Sequence, residues 1–342
     1  MSDILIRIDG VAGRITLNRP KAVNALTWDM LLAIENALDA WRDDSVVRLV
    51  IIDGAGDKGF CAGGDIAEMY ATGKAGDFGY GQRFWRDEYR LNRKIYKYAK
   101  PVISFLQGFT MGGGVGVGCH GKHRIVGHTS QIAMPEVTIG LVPDVGGSMI
   151  LAKAPGHMGE YLGLTGTRMD AADAIYAGFA DVFVPETAWE ILKTRLSETG
   201  DVTLIADAVG ELPPSKLAKI QPEIDATFGA TDIFAALESA TTDTLIDATK
   251  KVQRNAPLAV CVTVAMIGAV RENPTIEEAL GHEFRYTFRS AEHGDFIEGI
   301  RAAIIDRDRK PAWQHKTIAD VKSSDVAYMT APLGADALIW KD

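Results

Sequence analysis

The sequence predicts an α/β fold with a helical C-terminal part, and three observations carry that reading. Short β-rich stretches recur at residues 4–8, 14–17, 48–52, 102–106, 124–126 and 182–184, with helix-period segments between many of them. Strand signals stop after about Glu186. From Pro213-Pro214 to Trp313 the chain reads as helices separated by polar turns. The division expected from this order is a mixed core over residues 1–210 and a helical region over 211–342.

The first helix has a clear start. Thr27 is a good N-cap, and Met30, Leu31, Ile34, Leu38 and Trp41 recur at the three- and four-residue spacing of one buried face. The apolar run 256–270 is shorter than the roughly 18 residues of a membrane span and contains Pro257, Thr263 and Gly268; it reads as a buried helix. Past about Lys316 the pattern weakens, and loose docking or disorder is expected there.

Composition narrows the function classes. The 342 residues are 47% hydrophobic and 24% charged, enough for one large core and a smaller one. A formal net charge of -9 and a pI of about 5.4 give a surface that attracts neither nucleic acid nor anionic membrane, so a polyanionic ligand must be held by local basic groups. Cys61, Cys119 and Cys261 show no paired spacing, which indicates neither a disulfide framework nor a thiolate metal site. The opening residues lack the basic and apolar regions of a leader, so a cytoplasmic chain is expected by default.

Two glycine-rich segments follow strands. Phe60-Cys61-Ala62-Gly63-Gly64-Asp65-Ile66 opens a helix with Asp65 near its N-terminus, and Thr110-Met111-Gly112-Gly113-Gly114-Val115-Gly116-Val117-Gly118 begins a glycine-rich helix. Each glycine in a helix costs up to about 1 kcal/mol, a cost that makes sense where backbone must approach something closely. Two such turns could jointly polarise one carbonyl oxygen; tight helix–sheet packing explains them equally well on spacing alone. Gly116-Val117-Gly118-Cys119-His120-Gly121 also matches G-x-G-x-x-G with Glu136 roughly twenty residues on, but residues 109–115 separate it from the strand end where a dinucleotide fingerprint belongs.

Candidate acids stand in apolar sequence. The stretch from Gln131 to Gly147 carries Glu136 and Asp144 among apolar residues, a setting that raises carboxyl pKa values and suits general bases. Asp144 also fits an N-cap before a helix starting at Gly146-Gly147-Ser148. Glu88 lies in Arg83-Phe84-Trp85-Arg86-Asp87-Glu88-Tyr89-Arg90, where the pattern alone reads as a solvated surface. His120, His123 and His128 follow no metal-binding spacing and read as structural or surface residues, and Cys61 and Cys119 are assigned no chemistry.

These residues resemble the crotonase (enoyl-CoA hydratase/isomerase) superfamily. The resemblance begins at Asn18-Arg19-Pro20-Lys21-Ala22-Val23-Asn24-Ala25-Leu26 and continues through residues 60–66, 111–114 and 134–147. It implies a ββα spiral core, an oxyanion hole formed by the backbone N–H groups of Gly64 and Gly113, and coenzyme A bound near Lys21, Ala22, Gly64, Asp65 and Ile66, with Lys21 the candidate for the phosphates.

Within the superfamily, hydratases carry a first catalytic glutamate where this chain has Gly116 and a second where it has Glu136. A hydrogen in place of one carboxylate removes one of the two groups that hold and activate water. The pattern is instead similar to the thioester-hydrolase branch, which acts on short branched 3-hydroxyacyl-CoA in valine breakdown: residues 84–89, 110–116, 133–136 and 143–147 carry the likeness, with His282-Glu283-Phe284-Arg285-Tyr286 and the stretches 294–301 and 306–313, so that it spans nearly the whole chain and is weakest between residues 187 and 274. That branch implies Glu136 and Asp144 as catalytic residues and Glu88, Gly113, Glu136 and Asp144 in contact with the substrate. It implies homo-oligomers as well. No metal or redox cofactor is required, coenzyme A being part of substrate and product. A noncatalytic acyl-CoA-binding protein would keep the glycine turns and lose the acids, yet both Glu136 and Asp144 are present.

Overall fold

The computed structural model describes residues 2–340. Among the described residues nine strands form two sheets: β1 (Ile4–Asp9), β2 (Ala12–Leu17), β3 (Leu49–Gly54), β4 (Gly59–Cys61), β5 (Val102–Leu106), β6 (Phe109–Met111), β7 (His123–Val126), β8 (Gln131–Ala133) and β9 (Val182–Phe183). The larger sheet has the order β1-β2-β3-β5-β7-β9 and the smaller β4-β6-β8. Only the β1–β2 pair is antiparallel. All six expected strands form. The three that sequence did not reveal are the short ones of the second sheet, each only three residues long and so too short for an alternation to register.

The chain divides into two compact units, one of residues 1–64, 90–133 and 168–218, the other of residues 65–89, 134–167 and 219–342. They interleave along the chain, whereas the division at residue 210 follows chain order and element type. The first unit holds every strand. Its central strands β3 and β5 are buried along their length, as parallel strands covered on both faces must be, and their side chains join Trp189, Leu192, Leu196 and Ile205 in one core cluster. The helix Trp28–Arg42 is capped by Thr27, whose side chain accepts from Met30 N, and it buries the five apolar residues expected. Gly13 in β2 makes room for it: a Cβ there would lie 2.4 Å from the Trp41 ring.

The second unit is helical. Pro257–Glu272 starts with Pro257 at its first turn and buries Leu258, Val260, Val262, Met266, Ile267 and Val270, which is the buried helix expected there. Among the described residues no single helix is long and apolar enough to cross a membrane. The end of the chain departs from expectation, for residues 318–336 carry a helix, Ser323–Thr330, between two 3-10 turns. Arginines on other helices supply what the local pattern lacks. Arg289 Nη1 donates to the carbonyls of Met329 (3.4 Å) and Ala331 (2.9 Å), and Arg86 Nη2 to that of Asp336 (2.9 Å).

Candidate active site

In the first unit, β4 and β6 are parallel neighbours, and each runs into one of the glycine turns. Gly63 takes φ +110 and Gly112 φ +50, a region that L side chains rarely enter. A Cβ on Gly63 would sit 3.2 Å from Met111 O, and one on Gly114 would sit 2.6 Å from Cys61 O, so these two glycines allow backbone to approach backbone. The packing reading therefore holds for Gly63 and Gly114. At Gly64 the backbone is engaged differently. Its parallel bridge to Leu26 is made through the Leu26 N–H, which donates to Gly63 O at 2.9 Å, and leaves the Gly64 N–H out of the bridge. Gly113 begins the helix Gly113–Gly118, so its N–H lies in the first turn, where helices have no internal acceptor. Gly116 is buried inside this helix, and the G-x-G-x-x-G match falls within and after it, away from any strand end.

The Asn-Ala-Leu segment braces the first turn. Asn24, at φ +56, accepts from Arg19 N (2.9 Å) and donates to Ala55 O (2.9 Å) and Gly59 O (3.0 Å), while Ala62 N donates to Val23 O. Lys21 and Ala22 are exposed on the 3-10 turn Pro20–Ala22 just before it. Asp65 and Ile66, in the second unit, lead into the helix Ala67–Lys74, with Asp65 Oδ1 accepting from Ala67 N at 3.4 Å. His120 is buried edge-on to Tyr96, and His128 pairs with Glu186, both structural roles. Cys61 and Cys119 are buried, and burial pushes the Cys119 thiol up to about 12.

In the second unit, Glu88, Glu136, Asp144 and Glu283 are all buried. Glu136 begins the 3-10 turn Glu136–Ile139 after Pro135. Asp144 precedes Val145 (φ +56) and Gly146 (φ +79) at the entry to the helix Gly147–Lys153. Glu88 and Tyr89 stand on the helix Gly79–Tyr96 and Glu283 on the helix Ile276–His293. The Tyr89 hydroxyl donates to Asp144 Oδ2 at 2.8 Å. Glu283 accepts from Gly146 N (2.8 Å), Ser148 N (3.0 Å) and the Ser148 hydroxyl. Glu136 Oε2 and Glu88 Oε1 have no protein hydrogen-bond partner.

Burial governs the ionisation of this group. It raises Glu136 well above the ordinary range, with Asp144, Glu283 and Glu88 adding their like charges. It does the same to Glu88, helped by Asp144 and Glu283. Asp144 is pushed up to about 7, burial outweighing the Tyr89 hydrogen bond, and Glu283 to about 8. A buried cluster of acids with raised pKa values, two of them with an oxygen that no protein group satisfies, is a setting in which a carboxyl can exchange a proton near neutral pH.

Two expectations from pattern are corrected. The Asp144 side chain is not the N-cap of the following helix: it goes to Tyr89, and the carboxylate facing that helix start belongs to Glu283. Glu88 is not a solvated surface residue; at 3% exposure it shares a buried stripe with Phe84, Trp85 and Tyr89. Glu283 and Tyr89 stand inside longer stretches of sequence whose pattern does not single them out. The usable signal for Glu283 is an acid on the apolar stripe Ile276, Ala279, Leu280 and Phe284.

The family model described as enoyl-CoA hydratase/isomerase matches residues 12–330. The chain belongs to that family. This family member is 37% identical over 338 residues to the 3-hydroxyisobutyryl-CoA hydrolase, mitochondrial, of Danio rerio, covering 95% of this chain and 88% of the relative. It is 35% identical over 347 residues to the probable 3-hydroxyisobutyryl-CoA hydrolase 3 of Arabidopsis thaliana, covering 95% and 90%. Among solved structures it is similar to one described as an enoyl-CoA hydratase from Rhodobacter sphaeroides, with a TM-score of 0.96 at 51% identity, covering 99% and 100%. A carnitinyl-CoA dehydratase structure from Mycobacterium thermoresistibile follows with a TM-score of 0.93 at 39% identity, covering 97% of each chain. The crotonase-type fold implied by the sequence is thereby borne out.

Proposed function

We propose that this family member hydrolyses the thioester of a short branched 3-hydroxyacyl-CoA, 3-hydroxyisobutyryl-CoA in the first place, giving the 3-hydroxy acid and free coenzyme A. One observation carries the reading: Glu136 is buried with an unpartnered carboxylate oxygen, while the position of a hydratase's other glutamate is Gly116, buried in a helix and without a side chain. A single carboxylate at that pair of positions suits attack on an acyl carbon better than the paired acids of water addition. The names of the curated relatives support the same substrate class.

In this reading the Gly64 and Gly113 N–H groups stabilise the oxyanion of the tetrahedral intermediate, each donor contributing roughly 3 kcal/mol. Glu136 either attacks the acyl carbon, expelling the thiolate and forming an anhydride that water then cleaves, or takes the proton of an attacking water. In both routes the carbon–sulfur bond breaks and the thiolate leaves as free coenzyme A. Asp144 orients the water or the substrate hydroxyl, Glu88 contributes to binding the acyl group, and Lys21 meets the phosphates, with Ala22, Asp65 and Ile66 beside the coenzyme.

The test is thiol release from 3-hydroxyisobutyryl-CoA by the wild type and by Glu136→Gln. The reading expects steady release that falls by about a thousandfold in the variant. Equal release by both chains overturns the assignment of Glu136.

A further inference from the structure

We propose that Glu283, so far without a role, is a positioning residue for Asp144, an inference that rests on the hydrolase reading above. Asp144 is presented by a turn under strain. Val145, the next residue, is β-branched and adopts φ +56 with its side chain buried, and Gly146 follows at φ +79. A β-branched residue in the left-handed region persists only where its surroundings hold it there.

Glu283 supplies that hold. One oxygen accepts from Gly146 N, the peptide directly after Val145, and the other from Ser148 N and the Ser148 hydroxyl. Glu283 is itself fixed, being fully buried on the long helix Ile276–His293 between Leu280 and Phe284. On the other side of the turn the Asp144 carboxylate accepts from Tyr89, whose hydroxyl also lies 3.4 Å from Thr287 Oγ1 on the Glu283 helix. The helix that clamps the backbone of the turn thus also stands behind the side chain that orients its acid. Strain next to a reactive carboxylate, with a buried clamp on the following peptide, is the arrangement expected where a side chain must be held to a fraction of an ångström.

The proposal separates Glu283 from an ordinary stabilising acid. Glu283→Gln keeps the shape and one acceptor oxygen, but sets an amide N–H₂ against one of the donors it now serves. The experiment measures kcat and KM for thiol release by the full chain carrying Glu283→Gln, Val145→Gly, both together, or Ser148→Ala, with thermal melts of each. The expectation is a kcat lowered by about tenfold to a hundredfold in Glu283→Gln with KM changed by less than about threefold. Val145→Gly, which removes the need for a clamp, raises kcat in the Glu283→Gln chain though not in the wild type. Ser148→Ala, which removes one donor, lowers kcat in the same sense by about threefold. Wild-type kcat in Glu283→Gln, or a Val145→Gly effect of the same size and sign in both backgrounds, overturns the proposal and leaves the hydrolase reading standing. Absence of thiol release from the wild type overturns both.

Discussion

Tyr89 donates its hydroxyl to Asp144 Oδ2 at 2.8 Å from a position with no solvent exposure. It is the one side chain that favours the ionised form of Asp144, which burial otherwise pushes up. The ring is set by an edge contact with Phe284 at 6.0 Å, and the hydroxyl also lies 3.4 Å from Thr287 Oγ1. Asp144 and Glu283 thus each accept from a neutral hydroxyl, that of Tyr89 and that of Ser148, whereas Glu88 and Glu136 each keep an oxygen without a protein partner.

Tyr89→Phe removes that donor and little else. The Asp144 carboxyl then rises further above about 7, so the acid limb of kcat/KM for thiol release moves to higher pH, and stability falls by about 1 kcal/mol. Rates collected from about pH 5 to about pH 9 check this; an unmoved limb means that Asp144 ionisation does not govern the rate.

Asp144→Asn gives a stability effect with a definite pH signature. The unfolded carboxyl ionises near 3.8 and the folded one near about 7. Between these values the native state holds a proton the unfolded state has released, so stability falls as pH rises, by up to about 1.4 kcal/mol per pH unit, and the loss levels off above the folded pKa. The Asn variant lacks this slope. Its Tm is expected to match the wild type near pH 4 and to exceed it by several degrees near pH 8, with activity reduced.

Gly114→Ala tests the close approach of the glycine turns. Its Cβ would meet Cys61 O at 2.6 Å and Cys61 Cβ at 2.9 Å, so backbone must shift. A loss of about 1–3 kcal/mol in urea denaturation is expected, with kcat falling more than KM rises because the Gly113 N–H moves with its helix. Unchanged kcat in a folded variant argues against the Gly113 assignment.

Arg289→Met tests how the end of the chain is held. Arg289 Nη1 donates to three carbonyls, those of Arg285, Met329 and Ala331, and the guanidinium lies over the Tyr328 ring at 5.5 Å. Losing these is expected to cost about 1–3 kcal/mol and to open cleavage sites near residue 330 in limited proteolysis, while the wild type resists.

The larger sheet was legible because its central strands are buried on both faces and so read as continuous apolar runs, as in Val50-Ile51-Ile52 and Val102-Ile103. The small sheet was not, since strands of three residues carry no period. Thr27 announced its helix through cap chemistry that is local to the sequence. Asp144 was ambiguous for the opposite reason: its partner Tyr89 is 55 residues away, and the carboxylate that faces the following helix comes from Glu283, 137 residues from Gly146. Glu88 was hidden by its charged neighbours Arg86, Asp87 and Arg90, although Phe84, Trp85 and Tyr89 mark the face it shares. The tail after Lys316 was only weakly patterned: Asp320 and Asp325 cap its short turns locally, and much of the rest of its hold is long-range, from Arg289 and Arg86 to its carbonyls.

The most direct test of the central claim is to incubate the purified wild-type chain with 3-hydroxyisobutyryl-CoA and with crotonyl-CoA, following free thiol in one arm and loss of the enoyl absorbance in the other. The hydrolase account predicts rapid thiol release from the hydroxyacyl ester and little hydration of crotonyl-CoA, because Gly116 supplies no second carboxylate. Fast hydration of crotonyl-CoA with no thiol release from the hydroxyacyl ester would contradict it and place the chain with the hydratases.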